Sequence, residues 1–162
     1  MRMSTIKIWG WDKKPRTMLR FIKPGDIFCL KLDQHKYSFG IIVSKIFSGH
    51  VAEFFDKTLT TPKITESQLF DLKISLPPQL IDTYALFDKK IESGSDWRII
   101  GHHDNYNPEN MKDVYFVYGL EGSSKKIDIF DNETNASTAD SEKYPRLNPL
   151  GDYDIKLLLK HM

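Results

Sequence analysis

A single cysteine, Cys29, occurs in 162 residues, so no intrachain disulfide can form and a bridge-stapled secreted scaffold is excluded. Paired Cys-x-x-Cys and His-Glu-x-x-His are both missing, which removes the common zinc signatures. No stretch approaches the roughly 18 consecutive apolar residues of a spanning helix. The N-terminus reaches Lys7, Trp9 and Asp12 without the apolar run of a signal peptide. These absences set the expectation of a cytoplasmic protein. Charge of one sign is also lacking: 23 Lys and Arg against 22 Asp and Glu leave +1, too little for a global field toward nucleic acid or anionic lipid. The sequence shows no internal repeat, heptad run, low-complexity linker, Gly-rich phosphate loop or Gly-x-Ser-x-Gly elbow. The sequons Asn132-Glu133-Thr134 and Asn135-Ala136-Ser137 read as polar loop in a chain that is not secreted.

What is present is a globular composition, 40% hydrophobic, 12% aromatic and 28% charged, too apolar for a disordered tail. The length fits one domain over residues 1–162, able to bury about 70% of its unfolded surface. The most informative stretch is Lys23-Pro24-Gly25-Asp26, turn chemistry running into Ile27-Phe28-Cys29-Leu30-Lys31-Leu32. Asp26 is placed to bond nearby backbone amides. In the strand that follows, Ile27 and Cys29 point one way, and Phe28, Leu30 and Leu32 the other, so something must cover both faces.

Lys36–Phe47 completes a hairpin through Asp33-Gln34-His35, and His50–Asp56 adds a third strand after Ser48-Gly49. Ser4–Trp9 alternates as a first strand or extended arm. Thr58–Glu66 reads as loop, Gln68–Leu76 as strand, and Gln79–Phe87 as either strand or short helix. Trp97–Gly101, Val114–Tyr118 and Lys126–Phe130 read as strands, Asn132–Asn148 as loop, and Asp152–His161 as a helix. The expected class is α+β: a single domain dominated by a strongly bent antiparallel sheet or partial barrel, with a short C-terminal helix.

Few residues suggest catalysis. In His102-His103-Asp104, neighbours on a strand face opposite sides, so one histidine at most enters a shared site, and a metal would need His35 or His50 as well. Cys29 sits mid-strand, where a buried thiol is inert packing. Glu53, Asp56 and Glu66 give no paired-carboxylate pattern. No metal, cofactor or catalytic residue is expected. Trp97 belongs in the core. Trp9 and Trp11, among Lys7, Lys13, Lys14, Arg16 and Arg20, form either a core clamp or an exposed aromatic and basic patch. Late in the chain, Asp128, Asp131, Glu133, Asp140 and Glu142 form an acidic run, read either as a solvated face or as a docking surface for a basic partner.

Lys23-x-Gly25-Asp26-x-Phe28, Tyr37-x-Phe39-Gly40-Ile41-Ile42 and Trp97-Arg98-Ile99-Ile100-Gly101-His102 together resemble immunity protein family twenty-six, which is found beside bacterial polymorphic toxins. The resemblance is scattered over about half of the chain. It implies a non-catalytic antidote that binds one cognate toxin domain and occludes its active site or functional surface. Many such toxins are nucleases with basic clefts, so Asp128, Asp131, Glu133, Asp140 and Glu142 become the expected partner-binding residues, with Gly25-Asp26 as scaffold. Two alternatives stand beside this. Ribonucleases of the PemK-like barrel also open with Gly-Asp-Ile, although an Arg-Pro pair is usual where this chain has Phe39-Gly40-Ile41-Ile42. An SH3-like adaptor or RNA-binding module would use Trp9, Trp11 and the basic N-terminal segment.

Overall fold

A computed structural model describes residues 5–12, 22–87, 96–108 and 111–160. Strands β1 (Thr5–Ile8), β2 (Asp26–Asp33), β3 (Lys36–Ile46), β4 (Gly49–Phe54), β5 (Gln79–Ile81) and β6 (Trp97–Asp104) build a six-stranded sheet in the order β1-β6-β2-β3-β4-β5. Every neighbouring pair is antiparallel. Strands β7 (Tyr115–Tyr118), β8 (Lys125–Asp128) and β9 (Glu133–Asn135) form a second antiparallel sheet. The sheets are open and antiparallel, and helices α1 (Glu66–Phe70), α2 (Thr83–Phe87), α3 (Thr138–Lys143) and α4 (Asp152–Lys160) complete the α+β class expected from the sequence.

The hairpin β2–β3 and its continuation into β4 follow the alternation of the sequence, and both faces of β2 are covered. Phe28 and Leu30 join Ile42, Phe54, Ile81, Phe87 and Trp97 in one core cluster, closed by Leu86 of α2 and by Ile155 and Leu159 of α4. Phe28 is its hub, with ring centroids 5.4 Å from Phe54, 5.7 Å from Phe87 and 5.6 Å from Trp97. Such aromatic pairs add stabilisation beyond their buried area. Ile27 and Cys29 face the second cluster, with Ile6, Phe39, Ile41, Ile64, Ile100 and Leu69 of α1. A third cluster, including Val43, Ile46, Val51, Leu80, Phe116, Ile127 and Ile129, joins the two sheets. The β3–β4 register shifts between Ile42 and Ser44, so Val43, between them, leaves the alternation and serves that third cluster.

The chain also ties the sheets together through its backbone. The Val117 amide donates to Pro145, and the Leu147 amide donates back to Val117, at 2.9 and 2.8 Å. A few residues on, the Leu150 amide donates to Leu80, and the Asp82 amide to Leu150, each at 2.9 Å. Residues 145–150 thus bond to β7 at one end and β5 at the other. Helix α4 is pinned to the start of β6: Trp97 Nε1 donates to Asp152 at 2.7 Å, and Lys156 bridges Asp96 and Asp152 at 2.7 and 3.1 Å.

Three segments differ from the sequence reading. Gln68–Leu76, expected as a strand, opens instead with α1, because Thr65 and Gln68 form a reciprocal capping box that supplies the first turn's orphan amides. Only Ile74 of that stretch pairs as a strand, in an isolated bridge to Phe55. Asn132–Asn148, expected as loop, holds β9 and α3, the latter opened by a Ser137–Asp140 capping box. Gln79–Phe87 resolves into both alternatives in succession, β5 and then α2.

Candidate partner-binding surface

The motif residues converge, and their contacts are architectural. Asp26 and His102 are register partners on β2 and β6, and His102 Nδ1 lies 2.8 Å from Asp26 Oδ1. The other oxygen, Asp26 Oδ2, accepts the Lys23 amide at 3.0 Å, the local bond expected of the turn. Burial raises the Asp26 pKa, opposed by the Lys23 amide and by His102. Gly25 has φ +95°, and a Cβ there would stand 2.8 Å from the His103 carbonyl, so this turn both needs left-handed backbone and presses against β6. On the next strand Gly40 lies opposite Phe28, where a Cβ would meet the Phe28 ring at 2.3 Å and the Glu53 carbonyl at 2.5 Å. The Phe28 ring fills the space of a missing side chain. Thus Gly25, Asp26, Phe28, Gly40, Trp97 and His102 fasten β2, β3 and β6 to one another.

Cys29 is fully buried, and burial pushes its thiol far above the ordinary range, which removes the reactive thiolate. His50, weighed above as a metal ligand, is buried against Thr83, with Nδ1 2.7 Å from Oγ1. Among the described residues no group of three His, Cys, Asp or Glu side chains is arranged to hold a metal.

The N-terminal tryptophans divide. Trp11 is a clamp: Arg98 stacks over its ring at 4.2 Å and donates to its carbonyl at 2.9 Å, and Tyr37 meets it edge-on at 5.5 Å. Trp9 is 44% exposed, with its indole N–H donated to Ile99 at 3.2 Å. Lys13, Lys14, Arg16 and Arg20 of the basic segment lie outside the described residues.

The five acidic residues do not act alike. Asp128 ends β8 and organises the turn that follows: Oδ1 accepts the Phe130 and Asn132 amides, both at 2.9 Å, and Oδ2 accepts the Asn132 side chain at 3.1 Å. Asp131, in left-handed backbone at φ +69°, accepts the Phe47 amide at 3.1 Å and so ties this turn to the β3–β4 turn. Asp140 caps α3 and pairs with Lys126 at 3.2 Å. The Ser137 amide bond first, and Lys126 after it, hold the Asp140 carboxyl below its usual range. Glu133 on β9 and Glu142 on α3 are both exposed. Three of the carboxylates therefore commit oxygens to the fold, a division that sequence spacing does not reveal.

Glu142 stands between two open clefts. One, of about 570 Å³, is lined by Pro77, Pro78, Tyr115, Tyr144, Asp113 and Lys143 among others. The second, of about 490 Å³, lies between the β7–β8 turn and α3, and includes Glu121, Ser137 and Arg146. In the first cleft the Tyr144 hydroxyl donates to Asp113, and Lys143 pairs with the same carboxylate at 2.9 Å. Those two bonds hold the Asp113 carboxyl below its usual range. Apart from these clefts, the sequence reading missed an exposed apolar set beside the acidic run: Phe47 and Phe130, 62% and 59% exposed. Their signal was available, since large apolar residues stand at both turn tips.

The protein-family model described as Immunity protein 26 matches residues 23–128. That span runs from the Lys23 turn to the end of β8 and includes the three motif segments and the β2–β3–β4 meander. No curated protein and no solved structure matches the chain.

Proposed function

Since the chain belongs to the Immunity protein 26 family, which gives it a role in toxin immunity, we propose that it neutralises one cognate toxin domain by binding it, without catalysis. The observation that carries this reading is the family match over residues 23–128. The mechanism is occlusion of the toxin's active site or functional surface, through an interface of the usual total size, roughly 1,200–2,000 Å². The whole of residues 1–162 acts as one immunity domain in the cytoplasm. Among the described residues no helix is long and apolar enough to cross a membrane.

The proposed docking face includes the acidic run at Asp128, Asp131, Glu133, Asp140 and Glu142, and suits a toxin with a basic cleft, such as a nuclease. Carboxylates there would occupy positions that nucleic-acid phosphates otherwise fill. Their division of labour selects the informative substitutions. Reversing Asp128, Asp131 or Asp140 would break turn, tether or cap as well as charge, whereas the Glu133 and Glu142 side chains make no hydrogen bond or ion pair among the described residues. The test is co-expression of the toxin domain encoded next to this gene, with and without this chain, scoring growth and isolating the complex. Rescue with a one-to-one complex supports the antidote reading, and Glu133→Lys with Glu142→Lys then weakens the complex. RNA cleavage by the isolated chain, or salt-sensitive RNA binding without rescue, would favour the ribonuclease or RNA-binding alternative instead.

A further inference from the structure

Phe47 and Phe130 lie 83 positions apart in sequence, on two turns brought side by side where the two sheets join. The Phe47 amide donates to Asp131 Oδ1 at 3.1 Å, which places the Phe47 turn beside the residue that follows Phe130. The Phe47 ring meets Tyr118 edge-on, with centroids 5.9 Å apart. Beneath them the core is already filled: Ile46 and Ile129, the residue before each phenylalanine, are 2% and 1% exposed. Both rings therefore stand outside a completed core.

The turn presenting Phe130 is held by its own bonds. Asp128 Oδ1 takes the Phe130 and Asn132 amides, the Asp128 amide donates to Asn132 at 3.1 Å, and the Asp131 amide donates to Asp128 at 3.3 Å. A large ring on a pre-ordered turn loses little conformational freedom when a partner covers it. Single exposed apolar residues need no explanation, but two on turns that a cross-sheet bond holds side by side offer a paired apolar feature. Asp128, Asp131 and Glu133 flank Phe130 in sequence, so the pair carries a negatively charged rim. Apolar centre and charged rim is the anatomy of an energetic hot spot.

We propose that Phe47 and Phe130 form the apolar anchor of the surface that docks the toxin, and that the matching toxin surface is an apolar socket edged by Lys or Arg. This rests on the antidote reading above and names its centre. Charge complementarity sets the partner's chemistry: a basic rim meets the three carboxylates while the socket takes the rings.

The experiment is calorimetric titration of the neighbouring toxin domain with the wild-type chain, Phe47→Ser, Phe130→Ser and the double variant. Tyr153→Ser, an exposed aromatic on α4, is the control. Each single variant is expected to weaken Kd by about 30-fold or more, as truncated hot-spot residues do. The control should bind like wild type. Hydrogen exchange on the wild-type complex supplies a readout independent of any variant, with protection expected at residues 46–48 and 128–132. Wild-type binding with unchanged affinity in a folded double variant would overturn this inference and leave the antidote reading standing. So would absence of protection in both turns. If the double variant alters only self-association of the chain, the patch is a contact between copies and the inference fails. No binding or rescue by the wild-type chain would defeat the antidote reading itself.

Discussion

His50 makes acid a specific threat to this fold. It lies on β4, 2% exposed, with Nδ1 2.7 Å from the Thr83 hydroxyl at the start of α2. Burial, opposed by the Ile22 backbone and aided by the nearby Lys45 charge, lowers its pKa from 6.5 to about 4. The folded state thus favours neutral imidazole, while the unfolded chain protonates near 6.5. Stability from this residue is complete above the unfolded value and is lost as pH falls from about 6.5 toward about 4. At 1.36 kcal/mol per pH unit, that gap is worth about 3 kcal/mol, a large share of a typical domain's margin. Asp26 and Glu53 act in the opposite sense. Burial raises both carboxyl pKa values, so the folded chain binds those protons first and gains stability as pH falls. The His50 contribution is isolated by difference: urea unfolding at pH 7 and pH 4.5, for wild type and for His50→Gln. Wild type should lose about 2–3 kcal/mol more than the variant between those conditions. Equal losses in both proteins, or a native His50 resonance titrating near 6.5, would refute the reasoning.

Other consequences follow from single contacts. Gly40→Ala should destabilise by about 2 kcal/mol or more on denaturant unfolding, because the new methyl meets both the Phe28 ring and the Glu53 backbone. Thr65→Ala should cost about 1 kcal/mol in the same assay, through loss of the α1 cap. Cys29 should resist a thiol reagent in the native protein and react fully in denaturant, and rapid native labelling would contradict its burial. Glu133→Lys and Glu142→Lys together should weaken toxin binding about tenfold and flatten its salt dependence, with little change in melting temperature.

The sequence displayed its scaffold more openly than its surface. Strands such as Asp26–Asp33 and Lys36–Ile46 announce themselves because alternation and turn chemistry are local signals, and β2's two apolar faces correctly implied two covering layers. The helix at Glu66–Phe70 was obscured because Leu69, Leu72 and Ile74 look like strand residues, while a two-residue capping box decides the outcome. The Asp26–His102 pair spans 76 positions, so only strand register brings it together. The acidic run was visible as composition. That Asp128, Asp131 and Asp140 serve turn, tether and cap depends on backbone geometry, which charge counting cannot supply. Phe47 and Phe130 read as the last residues of the strands Lys36–Phe47 and Lys126–Phe130, and the neighbourhood of their two turns appears only once the sheets are assembled.

The central claim is that this chain silences a toxin by binding it, and the most direct measurement is titration of the neighbouring toxin domain with purified chain while toxin activity is followed. The account predicts a one-to-one complex of submicromolar Kd and activity falling to zero at equivalence. Undiminished toxin activity at a large molar excess of the chain, with no complex formed, would contradict it.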